Sequence, residues 1–276
     1  MPPESPCRVV TVIQARTGST RLPNKIMRPL LAKPALVRLV ERVQQARLSG
    51  VIVVATTTDP ADEAIVELCR AENFLCFRGH PTDLLDRHYQ AARLLRADAV
   101  VKIPSDCILI DPYIIDRVIG TYRANPHLYD YLSNLHPETY PDGNDVEIMS
   151  FSALEIAWYE ASRDFEREHT TPFLWENPGR FRIGNLTWET GLNYSVSHRW
   201  VLDYEEDYRL IKTIFETLYP RDPCFSLKDI LALVAAQPEL LAINAQHHGV
   251  NWYRHHLAEL RTISPVETRL VGEKAG

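Results

Sequence analysis

Up to about residue 125, short β-branched runs alternate with stretches of helical period, and this alternation leaves few folds open to the chain. Val9–Ile13 reads as a buried strand, and Pro34–Arg47 as a helix with Pro34 in its first turn and Leu36, Leu39, Val40 and Val43 along one face. Val51–Ala55 predicts a second strand, Asp59-Pro60 caps a helix to about Glu72, Phe74–Phe77 gives a third strand and Pro81–Arg96 a third helix. Ala99–Ile103 is a fourth strand, after which Asp111-Pro112 opens a further helix. Strands separated by helices of this length pair in parallel, through right-handed crossovers, into a sheet covered on both faces. The expected fold class is therefore α/β, with a mostly parallel, doubly wound, Rossmann-like sheet.

The second half breaks this pattern. Tyr131–Asn134, Val146–Ser150 and Phe181–Thr187 predict further strands, and Ser152 with Glu155 a capping box for a helix to about Ala161. Arg199–Leu202 is strand-like and ends in Asp203 before a helix from about Tyr204 to Leu218; Ser226 with Asp229 starts another. The whole predicts one α/β domain over residues 1–263 with an inserted α+β lobe at about 130–198, then a polar tail over 264–276. With 276 residues, 45% of them apolar, the chain can bury a sizeable core. Its formal charge of −6 argues against a nucleic-acid surface. No stretch approaches the ~18 apolar residues of a membrane span, and MPPESPCRVV lacks the form of a signal peptide, so a cytoplasmic protein with no membrane partner is expected. The 5 cysteines include no C-x-x-C pair, which indicates neither a disulfide framework nor a zinc site.

The first predicted strand runs directly into Gln14-Ala15-Arg16-Thr17-Gly18-Ser19-Thr20-Arg21-Leu22-Pro23-Asn24-Lys25. In an open α/β sheet, ligands bind beyond the carboxyl ends of the strands, where this loop sits. Gly18 lets backbone N–H groups approach an anion, Ser19 and Thr20 add donors, and Arg16, Arg21 and Lys25 supply charge-assisted hydrogen bonds. That composition suits a polyphosphate and equally a solvated basic turn; it is neither a G-x-x-x-x-G-K-[ST] nor a G-x-G-x-x-G sequence. Asp106 follows the fourth strand at the same edge. Together with Asp203 it makes a candidate Mg²⁺ site, although either carboxylate alone equally reads as a cap. Cys107 has nothing local to lower its thiol pKa, which argues against a nucleophile.

The loop resembles the A-R-x-G-S-x-R-L-P-x-K signature of the cytidylyltransferases that make CMP-activated acidic sugars, most nearly the branch typified by spore coat polysaccharide biosynthesis protein F. Further matches follow in order at Asp83–Arg87, Ser105–Pro112, Tyr140–Glu147, Glu166–Pro172 and Arg199–Asp207. Asn24 stands where the family usually has glycine, a change asparagine tolerates because it adopts φ > 0 more readily than most residues. The resemblance implies a sheet of the nucleotide-diphospho-sugar transferase type and attack by an acceptor oxygen on the α-phosphorus of CTP, with release of pyrophosphate. It implies Arg16, Lys25, Asp106 and Asp203 as the catalytic groups, with Mg²⁺ on Asp106 and Asp203. Gln14, Ala15, Gly18, Ser19 and Arg21 would line the CTP site. Asp86 and Arg87 would border the cytosine, a pair that reads equally well as an exposed part of a helix.

For the acceptor, Asn144, Asp145 and Glu147 on a presumed strand and Glu166, Arg167 and His169 within a helical turn form a mixed cluster suited to hydroxyls, an amine or a carboxylate. His169 is placed to assist deprotonation near neutral pH, and Arg199 to meet an acidic group of a small acidic or phosphorylated acceptor. The same cluster also reads as a structural salt-bridge network. Family resemblance, with the aromatic tail around Asn251-Trp252-Tyr253, implies a homodimer. One rival is a glycosyltransferase of the same architecture that consumes a nucleotide-sugar; Ser105-Asp106-Cys107-Ile108 lacks the second acid of its usual Asp-x-Asp. Another is a non-catalytic nucleotide-binding protein.

Overall fold

The computed structural model describes residues 7–263; the predicted polar tail lies outside them. In chain order the elements are β1 (Val9–Gln14), a hairpin of β2 (Pro29–Leu30) and β3 (Lys33–Pro34), α1 (Ala35–Gln45), β4 (Val51–Thr57), α2 (Glu63–Ala71), β5 (Leu75–Gly79), α3 (Leu84–Leu94), β6 (Ala99–Pro104) and α4 (Pro112–Ala124). There follow β7 (Tyr131–Ser133), β8 (Glu147–Ser150), α5 (Phe151–Glu160), α6 (Asp164–His169), α7 (Pro172–Trp175), β9 (Ile183–Asn185), α8 (Glu205–Leu218), α9 (Leu227–Ala236) and α10 (Glu239–Ala242).

The 7-stranded sheet has the order β5-β4-β1-β6-β8-β7-β9. β5, β4, β1 and β6 run parallel, β8 is antiparallel to both β6 and β7, and β9 returns parallel to β7. The mostly parallel α/β sheet expected from the sequence is present. Its strands alternate buried side chains between two cores, as parallel strands covered on both faces must. Val9, Ile13, Val101 and Ile103 pack with α1, α4 and α8, whereas Val10, Val12, Val100 and Tyr131 pack with α3, α5, α7 and residues 253–263.

Some boundaries differ. Ser150, not Ser152, caps α5: its hydroxyl accepts from the Ala153 N–H at 3.1 Å. Arg199–Leu202 is no strand; it is an extended segment whose Trp200 N–H donates to the Asp142 carbonyl at 2.7 Å and whose Leu202 N–H donates to that of Asp106 at 2.9 Å. Gly143, at φ +104, permits this approach, since a β-carbon there would lie 2.9 Å from the Trp200 carbonyl carbon. By this route a segment far away in sequence delivers Asp203 to the carboxyl edge beside Asp106.

Candidate active site

Lys25, Asp106 and Asp203 at the carboxyl edge are each placed by an identifiable local device. The loop after β1 is tied down by Asp62, 2% exposed, whose carboxylate accepts from the Thr17 N–H and hydroxyl, each at 2.7 Å, and from the Thr57 hydroxyl. Asn24 takes the left-handed conformation, φ 56, at the point where the loop turns into the short helix Lys25–Met27, so asparagine does the work of the family's usual glycine. Lys25 thereby points back into the edge. Its Nζ lies 2.8 Å from Asp106 Oδ2 and 2.8 Å from Asp203 Oδ1.

Arg21 adds a second cation, 2.7 Å from Asp203 Oδ2. Arg199, 2% exposed, reaches Asp203 at 3.1 Å, Asp142 at 3.0 Å and Asp207 at 3.2 Å. Asp207 also accepts from the N–H groups of Asp203 and Tyr204, at 3.0 and 2.9 Å, and so fixes the bend that presents Asp203. Burial opposes the charge on Lys25, but Asp106 and Asp203 outweigh it and raise its pKa; burial likewise opposes ionisation of Asp203, yet Lys25, Arg21 and Arg199 hold it well below the usual carboxylate range. Burial, then the neighbouring Asp106, pushes Asp145 up to about 6. Asp142 is also raised by burial, in spite of Arg199, and oxygens of Glu138, Asp142 and Asp145 lie within 4.8 Å of one another.

Arg16 is exposed, with no hydrogen bond or ion pair among the described residues, and so is available to a ligand. Gln14 holds a buried Oε1 without a partner; Ala15 donates to the Ala55 carbonyl at 3.0 Å; Gly18 is open on the surface; Ser19 accepts from the Leu22 N–H at 3.3 Å. Asp86 and Arg87 are not an exposed pair. Arg87, 1% exposed, donates to the carbonyls of His80, at 3.1 and 2.9 Å, and Pro81, at 2.9 Å, bracing the turn after β5, while Asp86 accepts from Trp158 Nε1 at 2.8 Å.

On the acceptor side the residues separate into two kinds. Asn144 accepts from the Asp111 N–H at 3.2 Å and donates to the Pro141 carbonyl at 3.1 Å, and Glu166 caps α6 while pairing with Arg163 at 2.7 Å; both are engaged in holding the backbone. Arg199 is engaged in the same way by Asp142, Asp203 and Asp207. Glu147 and His169, in contrast, belong to a polar cluster around Lys102. Glu147 pairs with Lys102 and accepts from the Tyr131 hydroxyl at 2.6 Å, and burial followed by Lys102 holds His169 down at about 3, neutral at physiological pH. That value favours hydrogen bonding over proton uptake near neutrality. Cys107 is fully buried, which raises its thiol pKa well above the ordinary value and rules out a thiolate.

Sequence reasoning passed over Asp62, Lys102 and Asp207. Lys102 carried a signal, a lone cation inside the strand Val100-Val101-Lys102-Ile103; Asp207 stood at the third position of a helix; Asp62 had only its place after Asp59-Pro60.

A parallel sheet with a cationic loop after its first strand, converging with carboxylates from two later segments, defines an α/β enzyme that handles a phosphorylated ligand at its carboxyl edge. The chain belongs to the cytidylyltransferase family, whose model matches residues 10–243, and is a CTP-dependent nucleotidyltransferase rather than a glycosyltransferase. It is 31% identical to a cytidylyltransferase of Leptospira borgpetersenii, whose structure superposes with a TM-score of 0.80 over 85% of this chain and 97% of that one. Spore coat polysaccharide biosynthesis protein SpsF of Bacillus subtilis is 28% identical over 84% of this chain and 95% of its own. A 3-deoxy-manno-octulosonate cytidylyltransferase of Anaeromyxobacter dehalogenans is 42% identical over 44% of this chain and 49% of its own. No helix among the described residues is long and apolar enough to cross a membrane.

Proposed function

We propose that this enzyme transfers CMP from CTP to an oxygen of a small acidic or phosphorylated acceptor, an acidic sugar foremost, in the cytoplasm and in the service of surface polysaccharide synthesis. The observation that carries the reading is the placement of Lys25 between Asp106 and Asp203, with Arg21 on Asp203 and the exposed Arg16 in the same loop. The acceptor oxygen bonds to the α-phosphorus, the bond from that phosphorus to the α,β-bridging oxygen breaks, and pyrophosphate departs. Such a transfer needs in-line positioning and neutralisation of charge more than covalent help. Lys25, Arg16 and Arg21 bind the β- and γ-phosphates and offset the charge that develops on the leaving group.

A divalent cation, Mg²⁺, fits the same carboxylates. Asp106 and Asp203 already converge on one positive group, the Lys25 ammonium, as the ligands of a cation would. When bound, the metal would polarise phosphate oxygens. The acceptor class draws on the relatives named above and on the polar cluster of Glu147, Lys102 and His169. For the homodimer the support shifts away from Trp252 and Tyr253, which pack within their own chain, to the exposed Tyr113, Leu192 and Val196 near an apolar groove of about 770 Å³. Light scattering showing a monomer at micromolar concentration contradicts it.

The test is pyrophosphate release from CTP and Mg²⁺ with a panel of acidic sugars, hydroxy acids, phosphate esters and phosphonates. The reading requires release with at least one of them and a CMP adduct by mass spectrometry; release with none, or release supported better by UTP or GTP, overturns it.

A further inference from the structure

The family match ends at residue 243, yet the chain continues as an ordered, aromatic segment to residue 263. This segment is clamped at both ends. Asn244 Nδ2 donates to the Arg199 carbonyl at 3.0 Å and to Asp207 at 2.8 Å, and the Val250 carbonyl accepts from Arg199 at 2.8 Å. At the far end, the N–H groups of Arg261 and Thr262 donate to the Glu176 carboxylate at 2.8 and 2.9 Å. Between the clamps, the Trp252 ring stacks on His169 with centroids 3.8 Å apart and planes 12° from parallel.

Beneath that stack lies the polar cluster. The Thr171 N–H donates to the His169 carbonyl at 2.9 Å, closing a tight turn at Thr170, φ 74. His88 Nε2, on a fully buried side chain, and His136 Nδ1 are buried without partners, and both rings feel the charges of Lys102 and Glu147. The cluster adjoins the carboxyl edge, because Lys102 and Glu147 stand opposite each other on β6 and β8, just before Asp106 and just after Asp145 in the chain. Buried polar atoms of this kind are expected to meet a partner, and an entering polar ligand supplies one.

We infer that the segment 244–263 forms the acceptor-side wall of the cleft and that Trp252 is a positioning residue, holding the His169 imidazole where it hydrogen-bonds a hydroxyl or amine of the acceptor. The inference rests on the acceptor reading above. It places the hydroxylated body of the acceptor against this cluster, since Lys102 is neutralised by Glu147 and the buried ring nitrogens favour hydrogen-bonding groups over a second anion. It also makes the wall a source of acceptor choice peculiar to chains that carry the segment. The same wall reaches the nucleotide loop: His247 stacks on Tyr204 at 3.8 Å, and the Arg21 guanidinium lies 5.6 Å from the other partner's ring centre.

The test uses the full chain and the acceptor that the pyrophosphate screen identifies. Trp252→Ala is expected to raise the acceptor KM by about 10-fold with kcat within about 3-fold and CTP affinity within about 2-fold, while Trp252→Phe retains most of the wild-type KM. His169→Gln, which leaves the wall in place, is expected to give the same KM defect and keeps the question open to refutation if Trp252→Ala folds poorly. In parallel, NMR titration of the histidine ring signals should show His169 moving up by at least about one pH unit in Trp252→Ala and little in Trp252→Phe. An unchanged acceptor KM in folded Trp252→Ala or His169→Gln, or an unchanged His169 titration, overturns the inference. If the wild type releases pyrophosphate with no acceptor, the acceptor reading itself fails, and the titration alone still decides whether Trp252 holds His169.

Discussion

Lys25 bridges the two carboxylates of the candidate site, its ammonium 2.8 Å from both Asp106 and Asp203. Lys25→Met should lower kcat/KM by on the order of 10²–10³-fold, the loss typical of one preorganised charge contact, with pyrophosphate release as the readout; a variant within about 3-fold of wild type contradicts the assignment. Asn24 makes a related prediction. A β-branched residue is poorly accommodated at its φ of 56, so Asn24→Val should cost about 1–2 kcal/mol in urea unfolding, while Asn24→Gly should cost little. His88 governs a pH dependence. Burial, then Lys102, holds it down at about 3 in the folded protein against an ordinary 6.5, so the unfolded state binds more protons between those values and stability falls as pH drops through that window. The decline attributable to His88 is about 1.4 kcal/mol per pH unit below 6, and His88→Asn should flatten it; parallel curves for the two proteins would refute this.

At the scale of elements, the β2–β3 hairpin departs from ordinary turn chemistry. Leu31 and Ala32 both have positive φ, 48 and 64, where tight hairpins prefer asparagine and glycine. Ala32 is exposed, so Ala32→Gly should stabilise by about 0.5 kcal/mol, relief of strain outweighing the added freedom of the unfolded chain; a lowered melting temperature would show the turn to be unstrained. The elements that the sequence made legible are those whose periodicity reports a local cause. β1, β4 and β6 are short runs rich in β-branched residues, and α4 and α9 announce themselves by Asp111-Pro112 and by Ser226 with Asp229, both of which cap as expected. Arg199–Leu202 shows the limit: its residue types suit a strand, but its hydrogen bonds go to Asp142 and Asp106 in loops, and no local pattern encodes which distant backbone an extended segment will meet. The partners of Arg199 were hidden for the same reason, because its three carboxylates are spread over residues 142–207.

Across the whole molecule, the site is assembled from four places in the chain: the loop after β1, the turn after β6, the Asp142–Glu147 stretch and the entry to α8. The first, second and fourth bring Lys25, Asp106 and Asp203 together, and the third carries Glu147 into the polar cluster covered by residues 244–263. Lys25, Asp106 and Asp203 were legible as a set because strand ends in an open sheet converge by topology alone. The covering segment was not, since it matches no motif and its partners, His169 and Glu176, are more than eighty residues away. The central claim is that these carboxylates and cations grip a metal-bound triphosphate. Calorimetric titration of CTP into the wild type and Asp203→Asn, each with Mg²⁺ and with EDTA, tests it most directly. The account predicts wild-type binding that weakens at least about 10-fold in EDTA and a variant in which that metal dependence is largely lost; equal CTP affinity in all four titrations would contradict it.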